Sequence, residues 1–186
     1  MPDTHSFFSA KTHGFVRVAA ATPVVHIADP VANAAEHIAL IEQAADQGCD
    51  LVVFPELSLS AYAIDDLHMQ AALLEEVDAR IGELAIASGE AGIVAVVGAP
   101  VRNGDQLYNC AVVMANGRVL GVVPKTYLPN YREYYEKRWF ASAPPTGEHM
   151  PFVMVGGDWV QMVTDLLFSA DNQPGFVFAV EICEDF

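Results

Sequence analysis

The sequence has few basic residues, few cysteines and no long uncharged apolar run. Nine lysines and arginines stand against 24 aspartates and glutamates, which gives a formal net charge of −15 over 186 residues. So acidic a protein repels phosphate backbones and anionic lipid, which argues against nucleic acid and membrane surfaces as partners. No apolar run reaches the length of a membrane-spanning helix, and Met1 to Gly14 lacks the apolar centre of a secretion signal.

The three cysteines, Cys49, Cys110 and Cys183, are odd in number and far apart. Without a secretion signal, this pattern is typical of reduced thiols and predicts a cytoplasmic protein. Cys49 falls at a predicted helix end and Cys110 inside a predicted strand, where a cysteine serves as a small buried residue. The six histidines show no spacing typical of a metal site.

The chain length and the hydrophobic content predict one α/β domain with a sizeable core. Apolar residues make up 53% of the chain and charged residues 18%, which argues against disorder. Apolar periodicity predicts the order β-α-β-α-β, followed by a strand-rich part. The predicted strands are Val16 to Ala21, Leu51 to Phe54, Ile93 to Gly98, Tyr108 to Ala115, Val119 to Val123, Val160 to Phe168 and Phe176 to Ile182; the predicted helices run from Pro30 to Gly48 and from Met69 to Ser88. No repeat or low-complexity linker divides residues 1–186, so a single domain is expected.

Local signals mark the ends of several of these elements. Asp29 followed by Pro30 is typical of a helix N-cap and first helical position, and Gly48 is typical of a helix end. Asn116-Gly117 predicts a tight hairpin turn between two strands. The polar and aromatic segment from Thr126 to Met150 is predicted to be irregular, and loops of this length in compact domains are usually functional.

Three reactive side chains each closely follow an apolar segment that is predicted to be a strand. They are Glu56, Lys125 and Cys183. In α/β sheets ligands bind beyond the carboxyl ends of strands, so these side chains are expected to converge in one crevice. A cysteine, a carboxylate and an ammonium together suit acyl transfer: the carboxylate removes the thiol proton, the thiolate attacks a carbonyl, and the cation stabilises the oxyanion.

Each of the three residues also has a structural explanation when it is taken alone. Cysteine is among the most buried residue types, so Cys183 is compatible with a packing role. Lys125 is compatible with a solvated strand end, and Glu56 with a residue that caps the next turn. Their ordered contexts along the chain favour a shared site over three unrelated roles.

Three ordered segments resemble the signature segments of nitrilase-like carbon–nitrogen hydrolases. They are Phe54-Pro-Glu-Leu-Ser-Leu-Ser-Ala-Tyr62, Pro124-Lys-Thr-Tyr-Leu-Pro129 and Glu181-Ile-Cys-Glu-Asp185. The resemblance implies that Glu56 is the general base, that Lys125 stabilises the oxyanion and that Cys183 is the nucleophile. It also implies a second glutamate, Glu136, that orients the substrate and the lysine.

Finer features are similar to the glutaminase domain of the NAD synthetase family. They lie in His13-Gly-Phe-Val-Arg-Val-Ala-Ala-Ala-Thr-Pro23, Leu128-Pro-Asn-Tyr-Arg-Glu-Tyr-Tyr-Glu136 and Glu181-Ile-Cys-Glu-Asp185. This resemblance implies hydrolysis of the glutamine side-chain amide to glutamate and ammonia. The ammonia would feed a C-terminal synthetase domain that uses ATP to amidate nicotinic acid adenine dinucleotide to NAD. It further implies that Tyr131 and Glu184 contact glutamine. Tyr62 and Tyr134 are further candidates for this contact, although loop tyrosines are also compatible with simple packing.

The implied fold is the nitrilase-like αββα sandwich, assembled as a homo-oligomer. The chain ends at Phe186, three residues after Cys183, where more of a core sheet would normally follow. The sequence therefore predicts an N-terminal glutaminase domain that is incomplete at its C-terminal end. It contains no Ser-Gly-Gly-x-Asp-Ser loop and no Walker-type loop, so ATP and Mg²⁺ are expected only for a synthetase domain outside this chain, and no cofactor is expected here.

Two alternatives stay open at the level of sequence. The first is another nitrilase-like amidase or carbamoylase, which would share the three reactive residues and differ in its amide substrate. The second is a non-catalytic fragment that acts only in assembly. That alternative predicts an unreactive Cys183 in a folded protein.

Overall fold

The computed structural model describes residues 9–144 and 152–186 and has a mixed α/β architecture. The helices are α1 (Pro30–Asp46) and α2 (Ala71–Ala91), and the strands are β1 (Val18–Ala20), β2 (Leu51–Val53), β3 (Val94–Asn103), β4 (Gln106–Ala115), β5 (Arg118–Pro124), β6 (Phe152–Val155), β7 (Asp158–Gln161), β8 (Phe168–Ser169) and β9 (Val177–Phe178). Short 3₁₀ helices lie at Ala10–His13, Asp65–Met69, Glu136–Arg138 and Cys183–Asp185. No helix within the described ranges is both long and apolar enough to cross a bilayer.

The main sheet has five strands in the order β1-β2-β3-β4-β5. The first three strands pair in parallel, and β4 and β5 extend the sheet in antiparallel fashion. Because β5 follows two antiparallel reversals, it runs in the same direction as β2 and β3. The carboxyl ends of β2 and β5 therefore lie at the same edge of the sheet.

The predicted start of α1 and the predicted turn of the β4–β5 hairpin are confirmed. Asp29 caps α1 by accepting a hydrogen bond from the Ala32 N–H at 3.0 Å, and Pro30 is the first helical residue. Asn116 and Gly117 have φ values of 54° and 79°, as a two-residue hairpin turn with left-handed backbone requires.

Each face of the main sheet carries its own hydrophobic cluster. On one face, Ile41 of α1 and Ile81 and Leu84 of α2 pack with Val97 of β3 and Val112 of β4. The other face presents apolar side chains of β2 to β5 to the C-terminal segment. This second cluster consists of Leu51, Val96, Ala111, Val113, Val123 and Ile182, with Phe168, Phe176, Phe178 and Val180 packed against it.

The two strands predicted after residue 150 are wrong in extent. In place of a strand from Val160 to Phe168, β7 forms a separate hairpin with β6, because Gly156-Gly157 provides a turn with positive φ at both residues. In place of a strand from Phe176 to Ile182, only Val177–Phe178 pairs, with β8. The apolar residues of this segment serve packing on the sheet face, since every second side chain from residue 176 to residue 182 belongs to the second cluster.

The remaining predicted elements are present with shifted ends. The second helix begins at Ala71 and not at Met69, because Asp65–Met69 forms a 3₁₀ helix just before it. The segment predicted to be irregular, Thr126 to Met150, contains one short 3₁₀ helix, Glu136–Arg138, among its described residues. Residues 145–150 of that segment lie outside the described ranges.

Candidate active site

A lysine ammonium lies between two carboxylates at the carboxyl edge of the main sheet. Glu56 comes three residues after β2, and Lys125 follows β5 directly. Lys125 Nζ lies 2.6 Å from Glu56 Oε1 and 2.9 Å from Glu136 Oε1. The predicted convergence of Glu56 and Lys125 is therefore present, and Glu136 joins them from the 3₁₀ helix.

This charged cluster is sealed from solvent on the side of Lys125 and Glu136. Lys125 is 0% exposed and Glu136 is 1% exposed. Burial lowers the pKa of Lys125, but the hydrogen bonds and charges of Glu136 and Glu56 outweigh burial and raise that pKa above its usual value. Lys125 is therefore held as an ammonium ion, the form that stabilises a developing oxyanion.

Glu136 is fixed in place from both its main chain and its side chain. Its N–H donates to the Pro129 carbonyl at 3.2 Å, and its own carbonyl accepts from Phe140 N–H at 2.8 Å. The hydroxyl of Tyr62 donates to Glu136 Oε1 at 2.6 Å. Burial and this bond raise the pKa of Tyr62 far above its usual value, so Tyr62 stays a donor. Glu136 Oε2 is buried and has no hydrogen-bond partner within the described ranges.

The loop that carries Glu56 crosses β3 at a glycine. A Cβ atom on Gly98 would lie 2.4 Å from both Leu57 N and the Pro55 carbonyl oxygen. The Gly98 carbonyl accepts a hydrogen bond from Leu59 N–H at 3.1 Å. This close approach brings the loop down onto the sheet and sets the position of Glu56.

Cys183 begins the last 3₁₀ helix and is exposed, whereas Cys49 and Cys110 are buried. Its φ of 52° is in the left-handed region, a strained conformation of the kind that clusters at functional sites. Cys183 and Glu56 line one cavity of about 110 Å³. Cys110 lines it too, but burial raises the pKa of that thiol well above its usual value and keeps it protonated.

The expectation that Cys183 directly follows a core strand is wrong. The residues before Cys183 pack on the sheet face and do not pair as a strand. The turn that contains Cys183 is held in place by the carboxylate of Asp185. Asp185 Oδ1 accepts hydrogen bonds from Thr126 N–H at 3.0 Å and from Tyr127 N–H at 2.8 Å. Because these two residues follow Lys125, Asp185 links the cysteine turn to the segment that carries the cation.

The four residues expected to contact glutamine form a connected chain between the Cys183 turn and Glu136. The hydroxyl of Tyr131 donates to Glu184 Oε1, and this bond raises the pKa of Tyr131. The ring of Tyr134 lies edge-on to both neighbours, with centroids 5.8 Å from Tyr131 and 6.4 Å from Tyr62. The chain therefore connects Glu184, next to Cys183, with Glu136 at the other end.

Two residues of the site are not predicted from the sequence. Asn109 donates from Nδ2 to Glu56 Oε1 at 2.6 Å, and the only sequence signal is an amide inside an apolar strand. Asp185 has only its position two residues after Cys183 as a signal, because its partners are main-chain N–H groups.

Comparisons with known proteins identify relatives of nearly the whole chain. The family model for carbon–nitrogen hydrolases matches residues 16–185. The glutamine-dependent NAD(+) synthetase of Mycobacterium tuberculosis is 50% identical over 180 residues, which cover 97% of this chain and 26% of that protein. The chain thus spans about a quarter of the length of the curated relatives that match nearly all of it.

Solved structures show the same likeness. The glutamine-dependent NAD(+) synthetase of Cytophaga hutchinsonii matches with a TM-score of 0.76 and 25% identity, over 84% of this chain and 26% of that chain. The enzyme of Acinetobacter baumannii matches with a TM-score of 0.65 and 33% identity, over 86% of this chain and 26% of that chain. The expected nitrilase-like fold class is confirmed, and this chain belongs to the carbon–nitrogen hydrolase family.

Proposed function

We propose that this chain is the glutamine-hydrolysing part of a longer glutamine-dependent NAD synthetase. The observation that carries the proposal is the Lys125 ammonium held between the Glu56 and Glu136 carboxylates, beside a cavity that Glu56 shares with the exposed Cys183. The 50% identity to a glutamine-dependent NAD(+) synthetase supports the choice of glutamine as the amide.

The first half of the reaction forms a thioester. Glu56 takes the proton of the Cys183 thiol, and the thiolate attacks the carbonyl carbon of the amide. Lys125 and a backbone N–H beside Cys183 stabilise the oxyanion, while Glu136 orients the ammonium group and the substrate. Glu56 then returns its proton to the leaving nitrogen, so that ammonia departs as the C–N bond breaks.

The second half releases glutamate and regenerates the thiol. Glu56 takes a proton from water, and the hydroxide attacks the thioester carbonyl against the same oxyanion donors. The C–S bond breaks, glutamate leaves, and the proton on Glu56 returns to Cys183. Both halves proceed through these side chains, and no cofactor is proposed for them.

Recognition of glutamine would fall to the four residues of the chain that runs from Glu184 to Tyr62. Glu184 brings a negative charge next to Cys183 that matches the α-ammonium group of an amino acid, and Tyr131 holds that carboxylate through its hydroxyl. Tyr134 packs against Tyr131, and Tyr62 orients Glu136. These contacts would place the side-chain amide between the cation and the thiol.

In the longer protein, the ammonia would pass to a C-terminal synthetase domain. There ATP and Mg²⁺ would activate nicotinic acid adenine dinucleotide, and ammonia would complete NAD. We propose that the protein works in the cytoplasm as a homo-oligomer, without nucleic acid or membrane partners.

The test is intact mass after incubation with a diazo-ketone analogue of glutamine. We expect one adduct on the parent and on Cys49→Ala, which lacks a buried thiol, and none on Cys183→Ala. Glutamate release from glutamine, measured in parallel, should follow the same pattern. An adduct only with reagents built on other amides would favour another amidase or carbamoylase. A folded parent whose Cys183 reacts with none of them would favour the assembly role and refute the proposal.

A further inference from the structure

Asn109 contacts both the candidate base and the segment that carries the cation. It lies in β4 opposite Pro100 of β3, and it is wholly buried. Its side-chain Nδ2 donates to Glu56 Oε1 at 2.6 Å. Its main-chain carbonyl accepts a hydrogen bond from Lys125 N–H at 2.8 Å. One residue therefore sets the positions of both partners.

The two donors that reach Glu56 both use the same oxygen. Asn109 Nδ2 and Lys125 Nζ each lie 2.6 Å from Glu56 Oε1. A carboxylate oxygen has about two lone-pair sites, so these two bonds fill Oε1. The other oxygen, Oε2, is then the one with capacity for a further proton.

The uncharged nature of Asn109 suits the charge balance of the cluster. Lys125 is shared by two carboxylates, so the trio has a formal charge of −1. An amide adds a hydrogen bond without adding charge, whereas a carboxylate at the same place would set a third negative group beside the first two. The titratable or charged groups around Glu56 are Lys125, Glu136, Tyr62, Cys110, Glu181 and Cys183.

We propose that Asn109 is a positioning residue that fixes which oxygen of Glu56 receives the thiol proton. The inference rests on the proposed role of Glu56 as general base. Asn109 and Lys125 occupy Oε1, the S–H bond of Cys183 breaks, and its proton goes to Oε2.

The experiment compares Asn109→Asp and Asn109→Ala with the parent. The control, Asn103→Asp, adds the same charge to the same hairpin at a residue whose amide contacts Phe152 and Met162. The first readout is the rate of Cys183 alkylation by iodoacetamide as a function of pH, resolved by peptide mass spectrometry. The second is kcat and KM for glutamine hydrolysis over the same pH range.

We expect the acid limb of the alkylation profile to move to higher pH by about one unit or more in Asn109→Asp, because a like charge opposes ionisation of Glu56. Asn109→Ala should move it in the same direction by less, since it only removes a donor, and should lower kcat on the order of 10-fold with little change in KM. The profile of Asn103→Asp should coincide with that of the parent.

Coincident acid limbs in the parent and in folded Asn109→Ala would overturn the positioning role, even if glutamine is hydrolysed. The comparison with Asn109→Ala is decisive even if Asn109→Asp does not fold. Asn109→Ala is expected to fold, because it also removes an Oδ1 that is buried without a partner among the described residues. The acid limbs of the Asn109 variants could be shifted relative to the parent even though the parent hydrolyses no glutamine. That result would support the positioning role and refute the proposed substrate.

Discussion

Lys125 Nζ lies 2.6 Å from Glu56 Oε1, although the two residues are 69 positions apart and their strands, β5 and β2, are separated by two others in the sheet. The parallel direction of β2 and β5 brings both residues to one edge, and the wholly buried Lys125 is held there by a second carboxylate, Glu136. Opposite charges enclosed in this way are expensive to separate, because each is left without solvent.

Removing the cation should therefore cost both activity and stability. In Lys125→Met, we expect glutamine hydrolysis to fall by about 10²–10³-fold or more through loss of an oxyanion donor. The free energy of unfolding should fall by about 3–5 kcal/mol, because two carboxylates lose their buried partner. Urea denaturation and a glutamate-release assay measure these changes.

The control for this prediction is Lys11→Met, which breaks an ion pair with Asp50 in which Lys11 is half exposed. Exposed pairs contribute at most about 1 kcal/mol, so Lys11→Met should be near the parent in both assays. Equal losses in the two variants would show that the position of Lys125 has no special importance.

A methyl group on Gly98 should disable the site through the loop that carries Glu56. Gly98→Ala would place its Cβ 2.4 Å from Leu57 N, so the loop must move away from β3. A displacement of about 1 Å at a catalytic group can cost on the order of 10²-fold in rate. We expect kcat for glutamine hydrolysis to fall by that order while the helices remain folded by circular dichroism.

Gly89→Ala is the matched control for Gly98→Ala. Its Cβ would meet Gly117 N at 2.3 Å, where α2 packs on the β4–β5 turn, so it creates a similar clash without involving the Glu56 loop. It should lower stability and leave kcat of the folded fraction within about twofold. A comparable fall in kcat for Gly89→Ala would contradict a local effect at Glu56.

Features that depend on neighbouring residues could be predicted from the sequence. Asp29 caps the helix that begins with Pro30, and Asn116-Gly117 forms its hairpin turn, because each depends on the conformational preferences of a few adjacent residues. Glu56 and Lys125 are distant in sequence, and their convergence could be predicted because each follows a strand whose direction in the sheet brings its end to a common edge.

Features that depend on distant partners could not be predicted in the same way. The apolar run from Phe176 to Val180 is typical of a buried strand, but the same composition suits a segment that packs on a sheet face. The contact of Asn109 with Glu56 joins residues 53 positions apart, and nothing local to either residue specifies it. Asp185 binds main-chain N–H groups, which every non-proline residue carries.

The Asp185 carboxylate should control the reactivity of Cys183 in a graded way. Asp185→Asn keeps the oxygen that accepts from Thr126 and Tyr127 N–H and should retain most of the alkylation rate of Cys183. Asp185→Ala removes the acceptor and frees the turn from the Lys125 segment, so glutamine hydrolysis should fall by on the order of 10²-fold. Peptide mass spectrometry of alkylated Cys183 and a glutamate-release assay measure the two effects.

Asp165→Ala controls for the loss of one negative charge from an exposed position in the C-terminal segment. It should behave like the parent in both assays. If Asp185→Asn and Asp185→Ala were equally impaired, the charge of Asp185 and not its hydrogen bonds to the main chain would be responsible.

The buried pair of His37 and Ser58 should make stability depend on pH. His37 Nδ1 donates to the Asn33 carbonyl at 2.6 Å, and its Nε2 lies 2.8 Å from Ser58 Oγ, two residues after Glu56. Burial lowers the pKa of His37 below 6.5, more than the Asn33 bond and the charge of Glu36 raise it. As the pH falls below about 6.5, the unfolded chain binds a proton at His37 while the folded protein does not, so the free energy of unfolding decreases.

In His37→Gln this part of the pH dependence should be missing. The difference in unfolding free energy between parent and variant should be constant above the usual histidine pKa. Below it, down to the lowered pKa of the folded state, the difference should shrink by up to about 1.4 kcal/mol per pH unit. Urea denaturation at intervals between about pH 5 and pH 8 measures it. His68, whose pKa burial also lowers, contributes equally to parent and variant. Parallel stability curves for the parent and His37→Gln across this range would show that His37 takes up its proton as readily in the folded protein as in the unfolded chain.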